Sequence, residues 1–252
     1  MNSAPQNTPQ APLLIHHRLS VDRRVGALHL RADLNLSATW TILFGPSGSG
    51  KSSLLRAACG LLSHRGIRFT RNREDEAEAE VLQDETTFVP PHLRAIRWSP
   101  QSDSLFPHLS VHRNILFGAT AAASKPRDEA EIIALFQLAP LLNRLPSDLS
   151  GGERRRVALA RAFAAPDCRL MLLDEPFAGL DRALRDELLP VIRAWLRDRN
   201  IPALSVTHDV EEALQLQAEV VLIRDGRIEA QGYASSVLAA ERDRLRLSLS
   251  RP

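Results

Sequence analysis

Thr41-Ile42-Leu43-Phe44 runs directly into Gly45-Pro46-Ser47-Gly48-Ser49-Gly50-Lys51-Ser52-Ser53, and from there into Leu54-Leu55-Arg56-Ala57-Ala58. The order predicts a buried strand, a glycine-rich turn and a helix N-terminus, the context in which a P-loop binds phosphate. Glycines let the backbone curl so that successive N–H groups point at the α- and β-phosphates, and the helix start adds partial positive charge. In that geometry Lys51 reaches the β- and γ-phosphates and the Ser52 hydroxyl holds Mg²⁺. A glycine-rich turn with no ligand is the plainer alternative, but it needs neither the strand before it nor the helix after it. The expected ligand is a nucleoside triphosphate, held by Gly45, Pro46, Ser47, Gly48, Ser49, Gly50, Lys51, Ser52 and Ser53.

A second stretch supports the first. Arg169-Leu-Met-Leu-Leu-Asp174 is a continuous apolar run closing on an acid, as in a strand buried in a parallel sheet. Carboxylates at the C-terminal rim of such a sheet sit where ligands collect. Asp174 is suited to hold Mg²⁺ through its water shell, and Glu175 to polarise a water for in-line attack on the γ-phosphate. Two acids merely ending a strand would be the simpler account if Lys51 were absent.

Around these anchors the chain alternates. Ala27-Leu-His-Leu-Arg-Ala-Asp-Leu-Asn-Leu36 places apolar residues at every second position and predicts strands. The acidic stretch from Arg71 to Glu85 reads as a solvated loop or hairpin edge. From Ser102 to Leu149, four prolines punctuate short helices. A strong helix is expected after Ser150, where Gly151-Gly152-Glu153 leads into Arg154 to Ala165. A helix over Arg182 to Arg199 and strands at Ala203 to Thr207 and Val220 to Ile223 complete an α/β pattern.

Of 252 residues 44% are hydrophobic, enough for a packed core, and the net charge of +2 gives no electrostatic footprint for nucleic acid. No run approaches the roughly 20 apolar residues that cross a bilayer, so action at a membrane would go through a partner. Cys59 and Cys168 lie far apart in apolar stretches and read as reduced core residues. On a helix Arg154, Arg155 and Arg156 fan over more than half a turn, which points to a solvated surface or a dimer interface rather than one basic face.

Leu149-Ser150-Gly151-Gly152-Glu153, followed by Arg154 to Ala162, resembles the signature motif of ATP-binding cassette (ABC) ATPases. The resemblance implies an ABC-type P-loop NTPase with a RecA-like core, an antiparallel β lobe and a helical lobe. It implies that two copies pair head to tail, each presenting Ser150, Gly151 and Gly152 to the γ-phosphate on the other P-loop. Gln101 matches the Q-loop glutamine that touches Mg²⁺ or water, and Asp181 in Ala178-Gly-Leu-Asp181 matches the D-loop at the dimer interface. His208 matches the switch histidine that contacts the γ-phosphate and orients the glutamate. The implied catalytic set is Glu175, His208, Lys51 and Gln101; the implied Mg²⁺ set is Ser52, Gln101 and Asp174. The expected layout is a tail over 1–12, one domain over 13–240 with the helical lobe at about 102–165, and a short tail over 241–252.

Within the family the chain is similar to importer ATPases, molybdate-type ones especially, through Leu105-Phe-Pro-His-Leu-Ser-Val111, Asn114 and Phe117-Gly118. Those residues would form a groove for a permease coupling helix, or serve equally as core of the helical lobe. Iron(III), sulfate, polyamine and phosphonate importers share much of this pattern. The implied setting is peripheral, on the cytoplasmic face of the inner membrane, with permease subunits and through them a substrate-binding protein. The chain departs from the family in three ways. No aromatic residue precedes Trp40, which leaves Val21, an arginine or His17 to contact adenine. No C-terminal cargo-sensing domain is expected. Trp98-Ser-Pro100 before Gln101 is unusual.

Overall fold

The computed structural model describes residues 15–63, 65–73, 78–102, 104–120 and 129–239. Among them ten strands form one sheet in the order β5-β4-β1-β2-β10-β9-β3-β8-β7-β6. The parallel half holds β3 (Trp40–Phe44), β6 (Ile96–Ser99), β7 (Leu170–Asp174), β8 (Ala203–Val206) and β9 (Glu219–Arg224). Every residue of β3, β7 and β8 is buried. That is why they read as unbroken apolar runs: layers cover both faces of a parallel sheet.

The antiparallel half holds β1 (Ile15–Val25), β2 (Leu28–Leu36), β4 (Ile67–Arg73) and β5 (Glu80–Gln83). Along β2, Leu30, Ala32, Leu34 and Leu36 are buried while His29, Arg31, Asp33 and Asn35 are exposed, so one face is wet and the sequence alternates. β10 (Arg227–Tyr233) joins the halves, running antiparallel to β9 and meeting β2 at a single parallel pair. The antiparallel lobe is therefore a continuation of the core sheet. Neither β6 nor β10 was expected from the sequence. The acidic stretch is the β4–β5 hairpin and its flank, as expected for a hairpin edge; its residues 74–77 lie outside the described ones, as do the expected tails over 1–12 and 241–252.

Alternation along the central strands feeds two cores. Ile42, Phe44, Met171 and Leu173 pack with Val157 and Phe163 of α4 (Gly151–Ala164) and with Leu188, Ile192 and Trp195 of α5 (Arg182–Asp198). On the other face Leu43, Leu170 and Leu172 pack with Leu54 and Leu55 of α1 (Lys51–Ala58) and with Leu19, Leu30, Leu34 and Phe69. Leu43 and Leu172 are fully buried, so truncating either to alanine removes about 3 kcal/mol. The P-loop helix is thereby wedged between the parallel core and the antiparallel lobe.

The helical lobe comprises α2 (Val111–Thr120), α3 (Glu129–Leu135) and α4. Buried Asn114 organises its entry: its amide donates to the carbonyls of Phe106, Leu109 and Ser110, and its oxygen accepts from the Phe106 N–H. Both cysteines are buried thiols, Cys168 donating to the Leu170 carbonyl at 3.4 Å, and burial pushes the Cys59 thiol up to about 12, so it stays a neutral core group.

Candidate active site

β3 ends at Phe44 and α1 begins at Lys51, leaving Gly45 to Gly50 as the turn. Two of its glycines are required. Gly45 has φ 148 and a Cβ there would collide with the Ile223 carbonyl; Gly50 has φ 105 and a Cβ would meet Leu30 Cδ1 at 2.7 Å. The loop is thus clamped between β9 and the β1–β2 hairpin. Lys51 Nζ donates to the Gly45 carbonyl at 2.8 Å and the Pro46 carbonyl at 2.7 Å, lying across its own loop. Partial burial holds the lysine below the usual ammonium range, while Glu175 and Asp174 pull the other way.

Asp174 closes β7 and is 6% exposed. Burial raises its carboxyl pKa, a hydrogen bond from Ser52 opposes that, and Glu175 next to it adds to the rise. Glu175 sits at φ 48, a left-handed conformation that costs a non-glycine residue on the order of 1 kcal/mol, with its N–H bonded to the Val206 carbonyl at 3.0 Å. The turn swings its carboxylate between two expected partners. Gln101 Nε2 donates to Glu175 Oε2 at 3.1 Å, and His208 Nδ1 lies 3.4 Å from Oε1. Ser47, Gly48, Gly50, Lys51, Ser52, Ser53, Gln101, Asp174 and Glu175 line one cavity of about 370 Å³. Residues scattered over more than 120 positions thus converge on one rim of the sheet.

His208 is held from behind. Thr207 Oγ1 accepts from the Asp209 N–H at 3.1 Å and donates to Glu212 Oε2 at 3.0 Å. Asp209 caps α6 (Val210–Gln215) and pairs with Arg185 of α5. Burial pushes the Glu212 carboxyl up to about 8, with Asp209 adding to the rise and the Thr207 bond and Arg185 opposing it.

The remaining predicted site residues form a second group. Ser150 caps α4 through a capping box: its Oγ accepts from the Glu153 N–H at 3.2 Å and its N–H donates to Glu153 Oε2 at 2.7 Å. Gly151 and Gly152 form the first turn, and a Cβ on Gly152 would sit 3.2 Å from the Gly179 carbonyl, so the glycine lets the Ala178–Asp181 loop pack against α4. Asp181 caps α5 by accepting from the Leu184 N–H at 2.9 Å. Among the described residues, none of Ser150, Gly151, Gly152 and Asp181 lines the cavity of its own chain.

A family model described as ABC transporter matches residues 30–178, the P-loop, Asp174 and Glu175 included. The chain belongs to the ABC transporter family. A molybdenum import ATP-binding protein, ModC, of Rhodopseudomonas palustris is 42% identical over 214 residues, covering 83% of this chain and 56% of that protein. A molybdate/tungstate import ATP-binding protein, WtpC, of Archaeoglobus fulgidus is 36% identical over 226 residues, covering 89% of this chain and 90% of that protein. The chain therefore spans a little over half the length of the ModC relative and nine-tenths of the WtpC relative. Among solved structures, a dimeric ATP-binding cassette, MJ0796, bound to ADP and Pi superposes with a TM-score of 0.71 at 22% identity, covering 86% of this chain and 98% of that one. A bacterial Atm1-family ABC exporter with ATP bound gives 0.74 at 21% identity over 99% of this chain and 44% of that one. At such identities the likeness speaks for the fold, and the expected ABC ATPase architecture is the one observed.

Two expectations change within the ABC frame, and a third divides between its two alternatives. Val21 and His17 are not placed to meet an adenine: both are buried in the antiparallel lobe, and His17 stacks on Phe69 at 5.7 Å. Burial, reinforced by Arg71, lowers His17 to about 3, so it is a neutral core residue. Val25 and Leu28, flanking the β1–β2 turn, line the cavity instead, because β-alternation points residues 17, 19 and 21 inward and brings the hairpin end over the P-loop. The arginine cluster is not a solvated face. Arg155 is 2% exposed and donates to backbone carbonyls on two sides of the site, Arg156 donates to the Phe136 and Gln137 carbonyls, and Arg154 to Leu149. The stretch after Gln101 divides: Leu105 packs on the core, while Phe106 and Phe117, with ring centroids 4.2 Å apart, line an open groove of about 610 Å³ with Trp98, Arg97 and Arg161.

Proposed function

We propose that the chain hydrolyses MgATP as the nucleotide-binding subunit of a membrane importer for molybdate or a related oxyanion. The observation that carries the hydrolytic part is the convergence on Glu175: Gln101 at 3.1 Å, His208 at 3.4 Å, and the P-loop across one shared cavity. On this reading the P-loop amides and Lys51 hold the β- and γ-phosphates, and Lys51 gives up its carbonyl contacts to do so. Glu175 accepts a hydrogen bond from the attacking water and takes its proton as the bond to the γ-phosphorus forms and the bond from that phosphorus to the β,γ-bridging oxygen breaks, ADP leaving. His208 and Gln101 fix the carboxylate on either side.

The donor set suits Mg²⁺, a hard cation that prefers oxygen ligands. Ser52 already bonds the buried Asp174 carboxyl, whose pKa burial raises, and Gln101 carries an amide oxygen. Ser52, Asp174 and Gln101 would hold the ion, and when bound it would neutralise negative charge on the terminal phosphates.

The signature residues serve in trans on this reading. Ser150, Gly151 and Gly152 face outward at a helix N-terminus beside the Asp181 loop, and a second copy docked head to tail brings them to the γ-phosphate of the first. Both relatives carry import in their names, which supports a permease partner at the cytoplasmic face of the membrane, a substrate-binding protein beyond it and an oxyanion as cargo. The groove of Phe106 and Phe117 suits a short permease helix. Among the described residues no helix is long and apolar enough to cross a membrane, which fits a peripheral subunit.

A phosphate-release assay on the purified chain tests the hydrolytic reading. Glu175→Gln is expected to bind ATP, lose at least about a hundredfold in turnover and accumulate as an ATP-bound dimer. Lys51→Ala is expected to abolish turnover. Glu175→Gln protein hydrolysing at a rate near the wild type refutes the assignment of the base.

A further inference from the structure

We propose that Arg155 is a positioning residue of the hydrolytic centre: its buried guanidinium fixes the spacing between the Gln101 loop and the Asp174–Glu175 turn and ties both to the helix that begins at Ser150. The proposal rests on the reading of Glu175 given above and extends it to a residue that touches neither phosphate nor water.

Arg155 projects from the second turn of α4 and spreads its donors over two segments. Nε donates to the Pro176 carbonyl at 3.0 Å, and Nη2 to the carbonyls of Asp174 at 2.6 Å and Glu175 at 2.9 Å. Nη1 donates to the Pro100 carbonyl at 2.6 Å, with the Gln101 carbonyl at 3.4 Å. A guanidinium is planar and its N–H groups form a rigid fork, so acceptors bound to its edges cannot shift independently.

Those two segments carry the Gln101 and Glu175 side chains, which meet at 3.1 Å. Glu175 holds an unfavourable φ of 48, and its carbonyl is one of the Arg155 acceptors, so the guanidinium helps to keep the turn that aims the carboxylate. The fork is rooted in α4, so rotation of that helix moves both loops together. Closure of the Ser150 end on a second nucleotide is thereby transmitted to Glu175. Arg156, one residue on, shows the contrast: its bonds go to the Phe136 and Gln137 carbonyls of the helical lobe, away from the cavity.

The test is a double-mutant comparison on the purified chain, with kcat and KM for ATP read from phosphate release and Tm measured in parallel. Arg155→Met is expected to lower kcat by about a hundredfold while KM stays within about threefold, because misplacement by an ångström costs the chemical step and Arg155 does not reach the phosphate loop. In a Gln101→Ala background the same substitution is expected to cost less than about twentyfold, since the spacing to Gln101 no longer matters and only the hold on the Glu175 turn remains. Arg155→Lys, a point charge that reaches one segment at a time, recovers little of the loss.

Arg156→Met is the structural control, expected to lower Tm while the Gln101 dependence stays unaltered. Equal losses of kcat for Arg155→Met in both backgrounds, or a fall in Tm with kcat and KM shifting together as in the control, overturns the proposal. Should Arg155→Met fail to fold, Arg155→Lys and Arg155→Gln decide it by the same comparison. An active wild type with unimpaired Arg155 variants refutes this role alone; an inactive wild type refutes the hydrolytic reading and the proposal with it.

Discussion

Glu212 lies directly behind the His208 loop, 4% exposed, with Thr207 Oγ1 bonded to one carboxyl oxygen at 3.0 Å and, among the described residues, no hydrogen-bond partner on the other. Its carboxyl ordinarily titrates near 4.5; in the fold it titrates at about 8. Between those values the folded chain holds a proton that the unfolded chain has released, so stability falls as pH rises through the window and levels off above it. Each pH unit inside the window costs about 1.4 kcal/mol, so from pH 5 to pH 8 the loss is on the order of 3 kcal/mol. Buried His17, whose lowered pKa makes stability rise with pH up to about 6.5, works the other way but is common to the wild type and any Glu212 variant. Glu212→Gln keeps an oxygen for Thr207 and removes the titration. The titratable and charged neighbours Asp209, Arg185 and Glu175 are common to both proteins and drop out of the difference. Urea denaturation at pH 5, 6, 7 and 8 therefore has the variant gaining on the wild type at each step, from near parity at pH 5. Parallel stability curves across that range refute the buried, proton-holding carboxyl.

Two further perturbations separate fold from function. Arg94 is fully buried at the C-terminal end of the P-loop helix, donating to the carbonyls of Ala58 at 2.9 Å and Val89 at 2.8 Å and to Gln83 Oε1 at 2.7 Å. Arg94→Met strands those acceptors and is expected to cost at least about 3 kcal/mol, a Tm fall of roughly 6–12 °C by calorimetry; a shift under about 2 °C contradicts it. Ser150→Ala removes a helix cap and is expected to cost about 1 kcal/mol in stability but at least about tenfold in ATP turnover. A loss of turnover no larger than the loss of stability explains would leave Ser150 as a cap alone.

What was legible in the sequence is what local pattern dictates. The β3–loop–α1 unit and the β7 strand closing on Asp174 are read from consecutive residues, because a strand covered on both faces must be apolar throughout. The signature helix was legible from its cap, Ser150 with Glu153 three residues on. Strand β6 was harder: Ile96-Arg-Trp-Ser99 carries a charge and no clean alternation, and it becomes a strand by pairing with β7. Arg155 was misread for the same reason. A guanidinium among charged neighbours looks solvated, and its acceptors lie 19 to 55 residues away in sequence. The cavity wall of Val25 and Leu28 comes from the hairpin folding over the loop, a contact no short window contains. Glu212 carries one sequence signal: it faces the buried side of α6, beside Ala213, where an acid needs a partner or a proton.

On the proposed reading, ATP hydrolysis at Glu175 drives a membrane permease. Recovery of the tagged chain from native membranes in mild detergent, with bound proteins identified by mass spectrometry and phosphate release followed on the recovered complex, tests it most directly. The expected result is a polytopic permease at equal ratio and ATPase activity that rises when molybdate is supplied with its binding protein. Recovery of the chain alone from the soluble fraction at every expression level, hydrolysing ATP without a permease, contradicts it.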